Sequence, residues 1–296
     1  MLSSKTYSMN TTKEVVMNHN NKSYRNLYRF EVRQNYRSFI IWILVIIGVM
    51  VLFMSTYPSF QSADYLQLVN AKIDALPKGF GVAFGLGGIT GINFKDLYFF
   101  YSYMSQFYVI AIVIYAISLG SNIISKENSE KHIDYLATKP IRKGTIIIAK
   151  YTVLVTFILA ITIGLLVAGC LTILTLNTNN SPFFYQIIRL SVKSFLVYLF
   201  FGTLAFSISA ASKKTSRSSL FVAGLFFISY LTGIISQIQP KFESLKYLSP
   251  FFMFETTKAG QGFSQQDYLY MLALTLSCTV LVVIAYWRYT TKDLSL

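Results

Sequence analysis

The sequence is poor in the residues that carry chemistry: two histidines, two cysteines and 12 acidic residues in 296 positions. His19 falls in a polar stretch and His132 in a charged loop, and there is no His-Glu-x-x-His, no aspartate pair within an apolar run and no nucleophile elbow. An intramembrane enzyme is therefore the weakest of the functional classes open to the chain. Cys170 and Cys278 each lie inside an apolar run, so they make neither a disulfide framework nor a metal site and read as small buried hydrophobes. A nucleotide loop is missing too. Gly85, Gly87, Gly88 and Gly91 have neither the dinucleotide spacing nor the Lys-Ser/Thr of a phosphate loop, and suit turns and close packing. The net charge of +14 does not mark a nucleic-acid binder, because the basic residues form short blocks beside apolar runs and no basic groove carries spaced stacking aromatics.

Apolar residues are abundant, at 54%, and they are clumped into runs. That clumping predicts an all-α integral membrane protein with six transmembrane helices, at about residues 39–56, 97–124, 145–176, 187–211, 219–236 and 268–287. The membrane domain spans residues 23–296. Residues 1–22, rich in Asn, Ser and Lys, read as a disordered cytosolic tail. The outer loop 57–96 holds a weakly amphipathic stretch at 62–76. The outer segment 237–266, with FESLKYLSPFFMFETTKAGQG, reads as a hydrophobic helix lying on the surface and a turn. Gly164 and Ala168, four apart in the third span, permit close helix approach.

Charge supplies the orientation. Lys and Arg number seven before the first span, five in 125–144, three in 212–218 and two at the C-terminus, against six in the loops of the other side. Both termini and the charged loop are thus expected in the cytosol, in a multi-pass protein of the plasma membrane. Arg25, Arg29, Arg33 and Arg37 recur every four residues and form one basic stripe on a helix, with Tyr24, Leu27 and Tyr28 on its other side. The stripe reads either as an N-terminal interfacial helix resting on anionic lipid or as the ordinary positive flank of a span.

Within the spans, Tyr98, Tyr101, Ser102 and Ser105 follow helical spacing along one face, as aromatic anchoring at the outer interface or as a polar lining for a substrate route. Arg189 and Lys193 at the mouth of the fourth span are expected to reach back to water, the alternative being an ion pathway. The spans otherwise hold hydroxyls, Gln106 and almost no ionisable groups, which argues against a proton- or sodium-coupled carrier.

The segment 125–144, SKENSEKHIDYLATKPIRKG, stands out against this background. Eight of its twenty residues are Lys, Arg, Glu or Asp, in a chain that is 13% charged. Glu127 and Lys131 are spaced for a helical ion pair, Ile133, Leu136 and Ala137 form a short apolar edge, and Pro140 stops the helix. A short amphipathic helix hung between spans 2 and 3 is shaped to dock onto a cytosolic partner, with Leu136 as anchor and Glu127 and Glu130 as charged rim.

Residues 122–151, NIISKENSEKHIDYLATKPIRKGTIIIAKY, resemble the corresponding loop of the membrane subunits of type 2 ABC exporters. Glu127, Leu136, Pro140, Arg142 and Lys150 take the places of that family's glutamate, leucine-rich turn, proline, arginine and lysine opening the next span. Lys131 and His132 stand where the family commonly has Gly-Thr. YLSPFFMF at 247–254 and RYTTKDL at 288–294 are further matches, and the resemblance covers nearly the whole chain. It implies a six-span permease without a catalytic site or cofactor of its own. A separate ATPase, two copies per transporter, would bind ATP and Mg and act through a cytosolic coupling helix that includes Glu127, Glu130, Ile133, Leu136, Pro140 and Arg142. A second permease, identical or a sister, would complete the pathway for an amphipathic peptide, antibiotic or lipid-like substrate. The alternative function is a non-transporting sensor or immunity subunit that sequesters a toxic peptide.

Overall fold

The computed structural model describes residues 2–75, 94–125, 142–176, 184–212, 218–238, 241–242, 244–245, 249–251 and 263–291, with side chains from Ser23 onward except Ile73, Asp74 and Gln237. The fold is all-α, and no strand occurs among the described residues. Helix α1 runs from Leu2 to Ser55, followed by a 3-10 turn, Tyr57–Gln61, and the outer helix α2, Ala63–Asp74. The remaining helices are α3 (Leu97–Ser125), α4 (Lys143–Leu176), α5 (Phe184–Ala211), α6 (Ser218–Ile238) and α7 (Gln265–Thr291). Six helices, α1 and α3 to α7, are long and apolar enough to cross a membrane, matching the six expected runs. The arginine stripe has no helix of its own, because α1 continues through it into the first span. The helical backbone also extends over residues 2–22, whose composition reads as a disordered tail; neither Gly nor Pro in that stretch interrupts it.

Local chemistry fixes several helix starts. Asp96 caps α3, its Oδ1 accepting from the backbone N–H of Tyr98 at 2.8 Å and Phe99 at 2.9 Å. The Arg142 carbonyl accepts the first turn of α4 from Thr145 N at 2.9 Å. At α7, Ser264 N donates to Asp267 Oδ2 at 3.0 Å while Asp267 N donates back to Ser264 Oγ at 3.2 Å, a reciprocal capping box.

Helices α3 and α5 form the centre, and α1, α6 and α7 turn most of their apolar surface outward. The central pair meets at Gly120 and Gly202, so closely that a Cβ at Gly120 would collide with the Gly202 carbonyl oxygen. Ala116, one turn before Gly120, lies 3.5 Å from where a Gly202 Cβ would be. Helix α1 packs along α4, where Gly164 leaves room for Ile43, whose Cδ1 would be 2.8 Å from an added Cβ. Phe39 meets Phe157 at 4.9 Å between ring centroids. At the α2 end, Tyr57, Phe60, Phe94 and Phe100 stack into an aromatic cluster, and Tyr57 Oη donates to the Lys95 carbonyl at 2.7 Å.

Residues 249–251, in the segment between α6 and α7, depart from the surface-lying reading, whereas Lys241, Phe242 and Ser244 are exposed. Ser249 is fully buried against Gly233, and Phe251 sits among Phe201, Phe226 and Tyr230 with ring centroids 6.0, 5.6 and 5.4 Å away. Phe226 is 12 residues before the end of α6 at Ile238, about 18 Å along the helix. Residues 249–251 therefore fold back into the bundle, where aromatic area is covered by α5 and α6.

Candidate functional site

The charged segment leaves α3 at Ser125 and returns as α4 at Lys143. Glu127, Glu130, Ile133, Leu136 and Pro140, and with them the Glu127–Lys131 pairing, fall outside the described residues. Arg142 is described: it is exposed, at the threshold of α4. The site can therefore be built from the base on which the segment stands.

That base is organised by Lys150. Its ammonium donates to Glu31 Oε1 of α1 at 2.7 Å and to the Ile123 carbonyl of α3 at 2.7 Å. Ile123 lies in the last turn of α3, where a helix leaves its final carbonyls without intrahelical donors, so the lysine completes that turn from another helix. Lys150 is 1% exposed and Glu31 3%. Burial of both charges is costly and is offset by pairing at short distance and by further hydrogen bonds. Glu31 Oε2 is buried with no hydrogen-bond partner among the described residues, and the Asn35 amide donates to the Glu31 carbonyl at 2.9 Å.

Helix periodicity puts Glu31 there. Leu27, Glu31 and Asn35, four apart, are all buried, whereas Arg25, Arg29, Arg33 and Arg37 are all exposed. Tyr24 and Tyr28 extend the seam, their hydroxyls donating to Thr152 Oγ1 at 3.0 Å and Thr156 Oγ1 at 3.2 Å on α4. The same end of the bundle gathers the other helix ends. An added Cβ at Gly144 of α4 would lie 2.7 Å from the hydroxyl of Tyr286 on α7. Ser209 of α5 and Ser218 of α6 share a hydrogen bond at 2.6 Å.

Glu31 escaped sequence reading, although a signal was present. It is the single acidic residue between Ser23 and Ser62, set opposite the arginine stripe. Lys150, in an apolar helix, needed such a partner.

The residues considered for a substrate route lie elsewhere, on the half of α3 away from Ser125. Tyr101 and Ser105 are enclosed in the bundle, and Tyr98 and Ser102 are half-buried. The Tyr101 hydroxyl sits over Gly169 of α4, where an added Cβ would be 2.5 Å from it, and Ser105 Oγ donates to the Ser102 carbonyl at 2.6 Å.

Lys193 does not reach back to water. It is buried and paired with Asp267 Oδ1 at 2.7 Å, tying α5 to the capping box that opens α7, and Arg189 is buried one turn earlier. Sequence reasoning missed this partner because the lysine was judged from its own helix end alone. Neither ion pair presents a nucleophile with a base; what they do is hold helices in fixed relation.

A family model described as ABC-2 family transporter protein matches residues 25–294. No curated protein matches the chain.

Proposed function

Since the chain belongs to the ABC-2 family of transporter proteins, and is the permease subunit of an ABC transporter, we propose that it exports an amphipathic or hydrophobic substrate using ATP hydrolysed elsewhere. ABC-2 permeases generally pair with an ABC ATPase. In our reading two ATPase copies bind ATP and Mg beneath two permeases, identical or sisters, and the pathway for a peptide, antibiotic or lipid-like molecule lies between the permeases. The 125–144 segment takes the stroke of the ATPase, Leu136 anchoring it and Glu127 and Glu130 setting its orientation. The observation that carries this reading is the joint beneath the segment: the helices it connects are bridged by the Lys150 ammonium at 2.7 Å, so a push on the segment meets a stiff base. The exposed arginine stripe rests on anionic headgroups, each cation contributing about 1 kcal/mol.

The test is co-reconstitution with an ABC ATPase that co-purifies with this chain, in vesicles of graded phosphatidylglycerol content. ATP hydrolysis and movement of a headgroup-labelled phospholipid and a fluorescent amphipathic peptide are followed. ATP-dependent movement is expected, rising with anionic lipid and lost when residues 127–138 are replaced by Gly/Ser at normal membrane insertion. A flexible linker costs little free energy in itself, so normal movement with that replacement overturns the coupling. Binding of the peptide without ATP-dependent movement supports sequestration instead.

The same reading places both termini in the cytosol, supported by the basic-residue asymmetry. With Cys170 and Cys278 replaced by serine, a cysteine at Ser181 is expected to react with an impermeant maleimide on intact cells and one at Ser129 only after permeabilisation. Reaction at Ser129 in intact cells reverses the orientation.

A further inference from the structure

Lys150 joins three elements that the chain keeps far apart: Glu31 is 119 positions away and Ile123 27 positions away. The contact sits at the root of the segment that leaves α3. From the other side, Glu31 belongs to the face of α1 opposite the exposed arginines, and Tyr24 and Tyr28 extend the attachment along α4 at 3.0 and 3.2 Å. One stretch of α1 is thus bound by its buried face to the joint between α3 and α4, while its other face remains free to engage a charged surface.

Charge is not needed to hold helices together at this depth. Apolar residues of similar volume often hold a buried site as well as an ion pair does, and in some proteins buried polar groups are retained because they fix one geometry among several. The geometry fixed here is directional, because the ammonium bridges a helix-terminal carbonyl on α3 and a carboxylate on α1.

We propose that Lys150 and Glu31 are positioning residues for coupling. They lock the arginine-striped part of α1 to the α3–α4 joint, so that all three move as one body when the 125–144 segment is driven. This rests on the permease reading above, which makes that segment the receiver of the stroke. The N-terminal helix is then a second arm of the receiving device, and what its arginines touch bears on the same joint.

The test compares wild type with Lys150→Met/Glu31→Leu, an apolar pair of similar volume, and with Glu31→Gln, which removes charge at nearly constant shape. Spin labels at the exposed positions Asn26 and Ile148 report the α1–α4 distance in the intact chain, without requiring transport. Wild type is expected to give one narrow distance that ATP and the ATPase leave unchanged. Both variants are expected to assemble with the ATPase and hydrolyse ATP but to show a broadened distance. Labelled phospholipid moved per ATP should fall about tenfold in the double variant, within the range of coupling between sites, and less in Glu31→Gln. A narrow distance with an unchanged ratio in the double variant overturns the proposal, as does a wild-type distance that shifts with ATP. If the double variant does not assemble, Glu31→Gln decides by the same two readouts. Wild type that moves no lipid or peptide at all counts against the permease reading instead, and the distance measurement still stands.

Discussion

Gly120→Val is expected to leave almost no assembled protein in the membrane. Overpacking a core ordinarily costs about 1–3 kcal/mol, because side chains shift to make room. At Gly120 the obstruction is the Gly202 carbonyl and, at 3.2 Å, the Phe206 nitrogen, all backbone of a helix that cannot swing aside. Relief requires α3 and α5 to separate along the contact that forms the centre of the bundle. Gly48→Val and Gly224→Val are the controls, since no atom lies within 4 Å of an added Cβ at either position. Size-exclusion traces of a fluorescent fusion should show monodisperse protein for the two controls and aggregate or nothing for Gly120→Val. A normal peak for Gly120→Val would mean that the two helices do not touch.

Asp267→Ala is the second large effect. It takes from the buried Lys193 ammonium the carboxylate it meets at 2.7 Å and removes half of the capping box that begins α7. Breaking a buried pair from one side costs about 3–5 kcal/mol, and loss of a cap about 1 kcal/mol more. Lys193→Met/Asp267→Leu should recover most of the pair's contribution, because the two buried charges are removed together, although the cap remains lost. The midpoint of thermal unfolding in detergent is therefore expected to fall far for Asp267→Ala and much less for the double variant. Equal falls would show that the pair carries no coupling energy, leaving the cap as the whole effect.

The contrast between these sites and the spans shows what the sequence could convey. Six apolar runs are a local property, and all six appear in helices; five have both ends within a few residues of the expected bounds, whereas α1 starts at Leu2 where Phe39 was expected. The arginine stripe is equally local, and its spacing alone predicts the exposed row that α1 presents. Ion pairs between residues 119 and 74 positions apart cannot be found by spacing. Only the general need of a buried charge for a partner pointed toward them, and that argument was not pressed for Lys193. Ala116 and Gly120, four apart on α3, were a legible sign of the central crossing, but Gly164 and Ala168 were read in their stead. Gly164 does meet a neighbour closely, at Ile43 of α1. The outer segment 237–266 reads as a surface-lying helix and turn from its sequence, yet its aromatic content was an argument for burial, and residues 249–251 are folded inward. Of the docking residues, Arg142 alone can be placed, and its exposure at the head of α4 is compatible with contact to a partner.

The inward fold of residues 249–251 ties the order of synthesis to the order of assembly. Phe251 has nowhere to go until Phe201 and Phe226 face each other, 5.5 Å apart between ring centroids, which requires α5 and α6 to be paired in the bilayer. The Asp267 carboxylate, emerging later, then finds Lys193 on a helix already in place. A nascent chain halted before Ser249 exposes an aromatic nest to lipid and lacks the carboxylate that Lys193 of its fourth span meets. The last helix thus seals a structure whose earlier parts remain chemically unfinished without it.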